Sequence, residues 1–448
     1  MSIKLSSKEA FERVAGVVLG ASTADHTRVN FSDGRSSTLR FANNQVAQHV
    51  SVDDRRISVQ VAFDQKVGRA TTNRIDAQSL KQVVRQAERI ARLAPADPEY
   101  MPPLESQQYL DIATYHDLTA QADPGELARR TKPVVEKCEA RNLYGAGIMT
   151  ASADAVGVAA SSGLFAYEKR SEARFSVTAT SRSQTGHSEA DSSGWTFNAH
   201  RDIDKLDVAR RADIAVDKAL TSRNPREVEA GYHTVILEPA AVAGVFGPVA
   251  WSLFAKSYHK GTSALSGKLG TQVLDSRLSV VSDPTHPDLL GNRFGRDGMA
   301  AAPTTWFDRG VLKNLYYDRF TAKEHGASPT PPGGGQILRF NGPQVANLDE
   351  LIAGTQRGIL ITNFWYIRYV NPTDLTLTGM TRDGTFLIEN GKIAGGVKNF
   401  RFHESPLRAF ASVKAATAPA ESITIERGKM LLPAVRLPKF NLSSVTKF

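Results

Sequence analysis

A chain of 448 residues is too long for one ordinary hydrophobic core, so two or three domains are expected. Its 41% apolar and 23% charged residues are those of a globular protein, and no segment is biased enough to be read as disordered. The formal charge of +9 invites an acidic partner, but the basic residues are scattered apart from an excess near the end (Lys392, Lys398, Arg401, Arg408, Lys414, Arg436). No zinc finger, RNP motif or basic helix accompanies them, so nucleic acid is not an expected partner. No apolar run reaches the roughly 18–20 residues that cross a bilayer, so no membrane partner is expected either. The opening MSIKLSSKEAFERVAG is too polar for a signal peptide, and the single cysteine, Cys138, can make no internal disulfide. Both fit a cytoplasmic protein.

In chain order, residues 4–19 read as a helix with Phe11, Val14, Val17 and Val18 on one side. Strand-like runs follow: Thr27 to Phe31, a turn at SDGR, Ser36 to Phe41, a turn at ANN, Gln45 to Val52, a break at DDRR, and ISVQVAF. Their period of two predicts an antiparallel meander. Asp76 can cap a helix that aligns Leu80, Val83, Val84, Ala87, Ile90, Leu93 and Ala94 on one side and ends at Pro95. The second third repeats this order: a helix over Pro124 to Arg141, strands at Leu143 to Thr150, Ala155 to Ala160 and Leu164 to Thr180, and a helix over Ile203 to Leu220. The expected fold class is therefore α+β, with two N-terminal helix-plus-antiparallel-sheet units at 1–118 and 119–228. A β-rich domain over 229–448, a sandwich or barrel, carries one buried helix. Short strands, glycines and prolines dominate after Gly270, and DRG at Asp308 and ENGK at Glu389 are hairpin signals.

The buried helix lies in EPAAVAGVFGPVAWSLFAKSYHKGTSALSGKLG, Glu238 to Gly270. Pro239 suits a first helical turn, and Val242, Val245, Phe246, Val249, Trp251, Leu253 and Phe254 make the segment apolar on nearly every face. The Gly/Ser segment after it is small, polar and free to take unusual backbone angles, a platform for a ligand. GTSALSGKLG, with DPT at Asp283, F-x-R-x-G at Phe294, D-x-G-x-L-K at Asp308 and FLIENGKI at Phe386, resembles the TldD/PmbA (TldE) family over almost the whole chain. In its catalytic members the resemblance implies an HExxxH zinc motif on this helix and a later ligand cysteine. Counted back from Gly261, the His-Glu pair falls on Phe246 and Gly247 and the second His on Trp251. The cysteine position falls at Ile425 or its neighbours, before GKMLLPAV. The motif is absent, so no metal and no cofactor is expected.

Other chemistries are poorly served. A helical zinc site needs two imidazoles a turn apart, and no two of the ten histidines are so placed. A relocated metal site would draw on His259, Asp283, His286, Glu324 and His325. A serine site would draw on Ser263 or Ser266 with His259, without a G-x-S-x-G elbow. The G-x-x-x-x-G-K spacing at Gly261 to Lys268 is followed by Leu269, where a phosphate-binding loop needs Ser or Thr. The resemblance implies a peptide-holding cleft instead, here assigned to Gly261, Thr262, Ser263, Ser266 and Gly267, with the loop TPPGGGQ at Thr330 to Gln336. The implied role is a catalytically inactive TldE/PmbA-like subunit that partners a TldD-type metalloprotease as a heterodimer, or forms a homodimer in its absence, and encloses unfolded peptide. The alternatives are an independent hydrolase with a relocated site and a modulator that binds DNA gyrase or nucleic acid.

Overall fold

In the computed structural model, which describes residues 5–181, 192–424 and 428–446, one antiparallel sheet organises the N-terminal half. Its strands are β1 (His26–Ala42), β2 (Gln45–Phe63), β3 (Lys66–Thr72), β4 (Leu143–Ala160), β5 (Phe165–Ser181) and β6 (Ser193–His200), in the order β3-β2-β1-β4-β5-β6. α1 (Lys8–Ala21) and α2 (Ala77–Leu93) cover its first half. Phe11, Val14, Val18, Leu80, Val84 and Ala87 pack there on Val29, Phe31, Ile57 and Val59. The expected cap is in place, with the Asp76 side chain accepting from the Ser79 N–H. α3 (Asp117–Gln121), α4 (Pro124–Ala140) and α5 (Val208–Thr221) cover the second half, where Leu127, Val134, Ala212 and Val216 meet Phe175 and Val177. Cys138 is buried in this core, which pushes its thiol up to about 11 and leaves it unreactive. The two helix-and-sheet units share one sheet, because β1 pairs with β4 from Arg28↔Ala160 to Phe41↔Gly147.

Two local expectations are corrected here. SDGR and DDRR are not turns: β1 and β2 run through them, and Gly34 pairs with Asp54 on one side and Asp154 on the other. One pair of their charges is matched across the two strands. Asp33 accepts from the Ser6 N–H and hydroxyl and pairs with Arg55 at 3.3 Å. A Cβ at Gly34 would stand 2.1 Å from the Asp154 carboxylate, so glycine serves close approach rather than a turn. The helix expected over Ile203 to Leu220 breaks at Asp207, whose φ of 47° ends a short 3₁₀ turn (Ile203–Leu206). The same side chain then caps α5 by accepting from the Arg210 N–H.

The C-terminal half runs β7 (Gly231–Leu237), β8 (Leu278–Ser282), β9 (Thr304–Asp308), β10 (Val311–Leu312), β11 (Gln336–Phe340), β12 (Arg357–Asn371), β13 (Thr376–Glu389), β14 (Lys392–Gly396), β15 (Phe400–Glu404), β16 (Ala415–Ala416), β17 (Ala420–Thr424), β18 (Gly428–Leu432) and β19 (Val435–Val445). The order β12-β7-β19-β15-β13 returns to β12 and closes a five-stranded barrel. A second sheet has the order β10-β9-β8-β11-β18-β17. The DRG and ENGK hairpins form as expected. Arg309 and Gly310, and Asn390 and Gly391, all have positive φ, the requirement of a type I′ turn.

α6 (Pro239–Trp251) lies between barrel strands β7 and β12 and strands β17 and β18 of the second sheet. Contact on both sides explains why it is apolar almost all round. Among the described residues no helix is long and apolar enough to cross a membrane.

Candidate functional site

β7 delivers the chain to α6 at Glu238, and Pro239 occupies the first helical turn, where its missing N–H costs nothing. The Glu238 carboxylate pairs with Lys218 of α5 at 2.6 Å, with both side chains largely buried. This ion pair ties the helix N-terminus to the middle of the chain, and the negative charge suits that end of the helix dipole. α6 ends where the Ser252 N–H meets the Val249 carbonyl, and α7 (Ala255–His259) follows.

The three described motif positions have unlike surroundings. Phe246 is 1% exposed, and its ring meets Phe410 edge-on at 5.2 Å. Gly247 is buried beside it. Trp251 is 48% exposed, its ring 5.7 Å from Phe254, because the last turn of α6 emerges from between the sheets. Its expected burial is corrected accordingly. Ile425 lies outside the described residues. A phenyl ring, a glycine and an indole, whose N–H only donates, offer no lone pair to a zinc ion. The side chains at these positions do not fit the metal of the catalytic relatives. Among the described residues no three His, Cys, Asp or Glu groups are placed to hold an ion.

In the segment after α7, Gly261, Gly267 and Gly270 adopt φ of 72°, 74° and 79°, the left-handed region that favours glycine. Its hydroxyls are engaged locally. Ser263 donates to the Ser252 carbonyl at 2.6 Å and accepts from the Leu265 N–H. Ser266 donates to the Tyr258 carbonyl and Thr262 to the Ser257 carbonyl. These bonds fasten the segment to the end of α6 and to α7. What it presents outward is the exposed Gly261, Thr262 and Gly267. Neither serine is paired with His259, whose ring nitrogen Nε2 meets the Tyr317 hydroxyl at 2.9 Å while both serine hydroxyls donate to backbone carbonyls.

The relocated-metal candidates separate into two groups. The His259 ring stacks on His325 at 3.5 Å and 8°, at the end of α8 (Arg319–Glu324), with His325 Nε2 3.6 Å from Glu324. Desolvation and the stacked His325 push the His259 imidazole pKa down. Face-to-face rings point their in-plane lone pairs alongside one another, not toward a shared ion. Asp283 and His286 are used elsewhere, accepting from the N–H groups of Thr285 and Asp288.

A cavity of about 260 Å³ opens at the C-terminal end of α6. Leu253, Phe254, Trp306 and Met430 give it an apolar body, and Gly333 to Gln336 of TPPGGGQ form part of its wall. The Trp306 indole is held by the Ser282 hydroxyl at 2.9 Å. The loop glycines permit close packing: a Cβ on Gly335 would stand 2.0 Å from the Lys429 carbonyl. Of the two segments expected to line a cleft, TPPGGGQ reaches this cavity and the Gly261 to Gly267 segment does not. Trp306, Tyr316 and Met430, which also line it, come from distant strands and loops and carried no local signal.

Profiles of the PmbA/TldA metallopeptidase family match residues 28–91 as domain 1, 112–223 as the central domain and 230–444 as the C-terminal domain. The chain belongs to the TldD/PmbA (TldE) family. Its fold superposes on TldE from Thermococcus kodakarensis with a TM-score of 0.85 and 18% identity, covering 96% of this chain and 99% of that one. A Thermotoga maritima protein described as a modulator of a DNA gyrase gives 0.83 and 18%, covering 97% and 99%. At such identities these likenesses speak for the fold alone. A metalloprotease of Methanothermobacter thermautotrophicus is 25% identical over 246 residues, 51% of this TldD/PmbA chain and 52% of that protein. The chain thus spans about half the length of that curated relative.

Proposed function

We propose that this chain is a non-catalytic, TldE-like subunit that partners a TldD-type zinc metalloprotease and helps bind and enclose unfolded peptide for cleavage. The observation that carries the reading is Phe246. Where a catalytic relative places its first imidazole, this chain has a core phenyl ring packed on Phe410. The rest of the family architecture is retained, which suits a subunit that supplies shape while its partner supplies the metal. In the partner's absence two copies of the chain pair instead.

A second feature supports the partnership. The outer end of β12 exposes Trp365 (47%), Tyr366 (58%) and Tyr369 (48%) together with Val370. Arg382 lies over the Trp365 ring at 4.4 Å, and Arg368 over the Tyr366 ring at 4.2 Å. Exposed Trp, Tyr and Arg are the residue types that dominate subunit contacts.

The test mixes the purified chain with a TldD-type chain and follows both gel filtration and cleavage of an unfolded protein. The expected result is one co-eluting complex and a cleavage rate above that of the TldD-type chain alone. Separate elution with an unchanged rate overturns the proposal.

A further inference from the structure

The cavity at the end of α6 carries features that packing alone does not explain. At about 260 Å³ it is smaller than the roughly 300–1,000 Å³ pockets that take drug-sized ligands. It has room for one large side chain. Its body of Leu253, Phe254, Trp306 and Met430 would desolvate a charged group without repayment, so an apolar group is the one that fits.

The wall adds polarity at one place. Gln336 lines the cavity, and its Oε1 is buried with no hydrogen-bond partner. Such an orphan acceptor is costly until a donor reaches it. Beside it, the main-chain N–H groups of Gly333, Gly334 and Gly335 donate to no described residue. An apolar hole thus has an acceptor and unclaimed donors at its edge. Those are the complements of a main-chain N–H and C=O flanking one apolar side chain.

We propose that this cavity is a side-chain subsite that selects a large apolar residue, aliphatic or aromatic, in an extended polypeptide. Gln336 Oε1 accepts from the main chain of that peptide, and the Gly333–Gly335 amides donate to its carbonyls. This rests on the peptide-holding reading and adds the class of residue that is read.

The experiment measures fluorescence anisotropy of labelled hexapeptides on the full chain, with the central residue varied among Leu, Phe, Gly, Asp and Lys. Burial of a large apolar side chain predicts that the Leu and Phe peptides bind at least about tenfold tighter than the Gly and Asp peptides. Gln336→Leu, which removes the acceptor at similar volume, is expected to weaken the Leu and Phe peptides about fivefold. Ala250→Leu, which fills the cavity, is expected to erase the preference. Equal affinities across the panel overturn the subsite and leave peptide holding intact, as does a preference that neither variant alters. The absence of binding by every peptide overturns the peptide-holding reading and the subsite with it. The wild-type panel decides the matter even if a variant fails to fold.

Discussion

Replacing Phe246 with alanine separates a core residue from a vacated ligand position. The side chain is 1% exposed and lies in the cluster that joins α6 to the barrel and the second sheet. Removing a buried phenyl costs about 3–5 kcal/mol, the sum of lost transfer energy and the cavity left behind. The edge-on contact with Phe410 at 5.2 Å accounts for roughly 0.5–1.5 kcal/mol of that. Trp251→Ala is the internal control. It sits on the same helix at a matching motif position but is half exposed, so its loss is expected to stay near 1 kcal/mol. Urea unfolding of both variants, followed by tryptophan fluorescence for Phe246→Ala and by circular dichroism for Trp251→Ala, reads the difference. A Phe246→Ala midpoint within about 1 kcal/mol of wild type would refute the packing argument.

Three further outcomes follow from the same geometry. Burial alone would raise the Asp275 carboxyl, but the Arg277 side chain at 2.7 Å and the Val413 and Arg277 N–H groups bring it down to about 2. A folded pKa below the unfolded one means that this stabilisation is present above about pH 4 and is lost as pH falls toward 2. Discounted for solvent screening, it is about 1–2 kcal/mol, and acid titration of Asp275→Asn should lack that part of the limb. Trp365→Ala combined with Tyr366→Ala is expected to weaken partner binding by at least about 2 kcal/mol in titration calorimetry, with the melting temperature little changed; unaltered affinity would remove the β12 surface from the interface. Gly335→Ala forces a Cβ to 2.0 Å from a backbone carbonyl that cannot swing aside, so a loss of about 1–3 kcal/mol is expected in thermal denaturation.

Much of the architecture was legible because its signals are local. The Asp76 cap and the DRG and ENGK turns each depend on a few adjacent residues, and each is found where the sequence puts it. The apolar side of α2 holds for Leu80, Val83, Val84 and Ala87, while Ile90 and Leu93, in its last turns, are exposed. Pro239 and the unbroken apolar character of α6 likewise pointed to a helix with neighbours on both sides. The misreadings share a cause. SDGR and DDRR carry turn chemistry, yet pairing on both flanks of β1 and the Asp33–Arg55 contact outweigh it. The break at Asp207 depends on one left-handed residue inside a continuous helical pattern. Closure of the barrel through β12 and β13, the stacking of His259 on His325 and the convergence of Trp306, Met430 and Gln336 join residues far apart in sequence. No periodicity announces such meetings. The family motif positions could be counted from Gly261, but that Phe246 is core while Trp251 emerges is a property of the packing alone.

The central claim is that α6 is a structural element in this chain and not a metal-binding one. Its most direct test is metal content by mass spectrometry on the purified chain after dialysis against zinc, with Phe246→Ala and Trp251→Ala measured alongside. The account predicts far less than one zinc per chain, unchanged in both variants. One tightly held zinc per chain, lost when either position is altered, would contradict it.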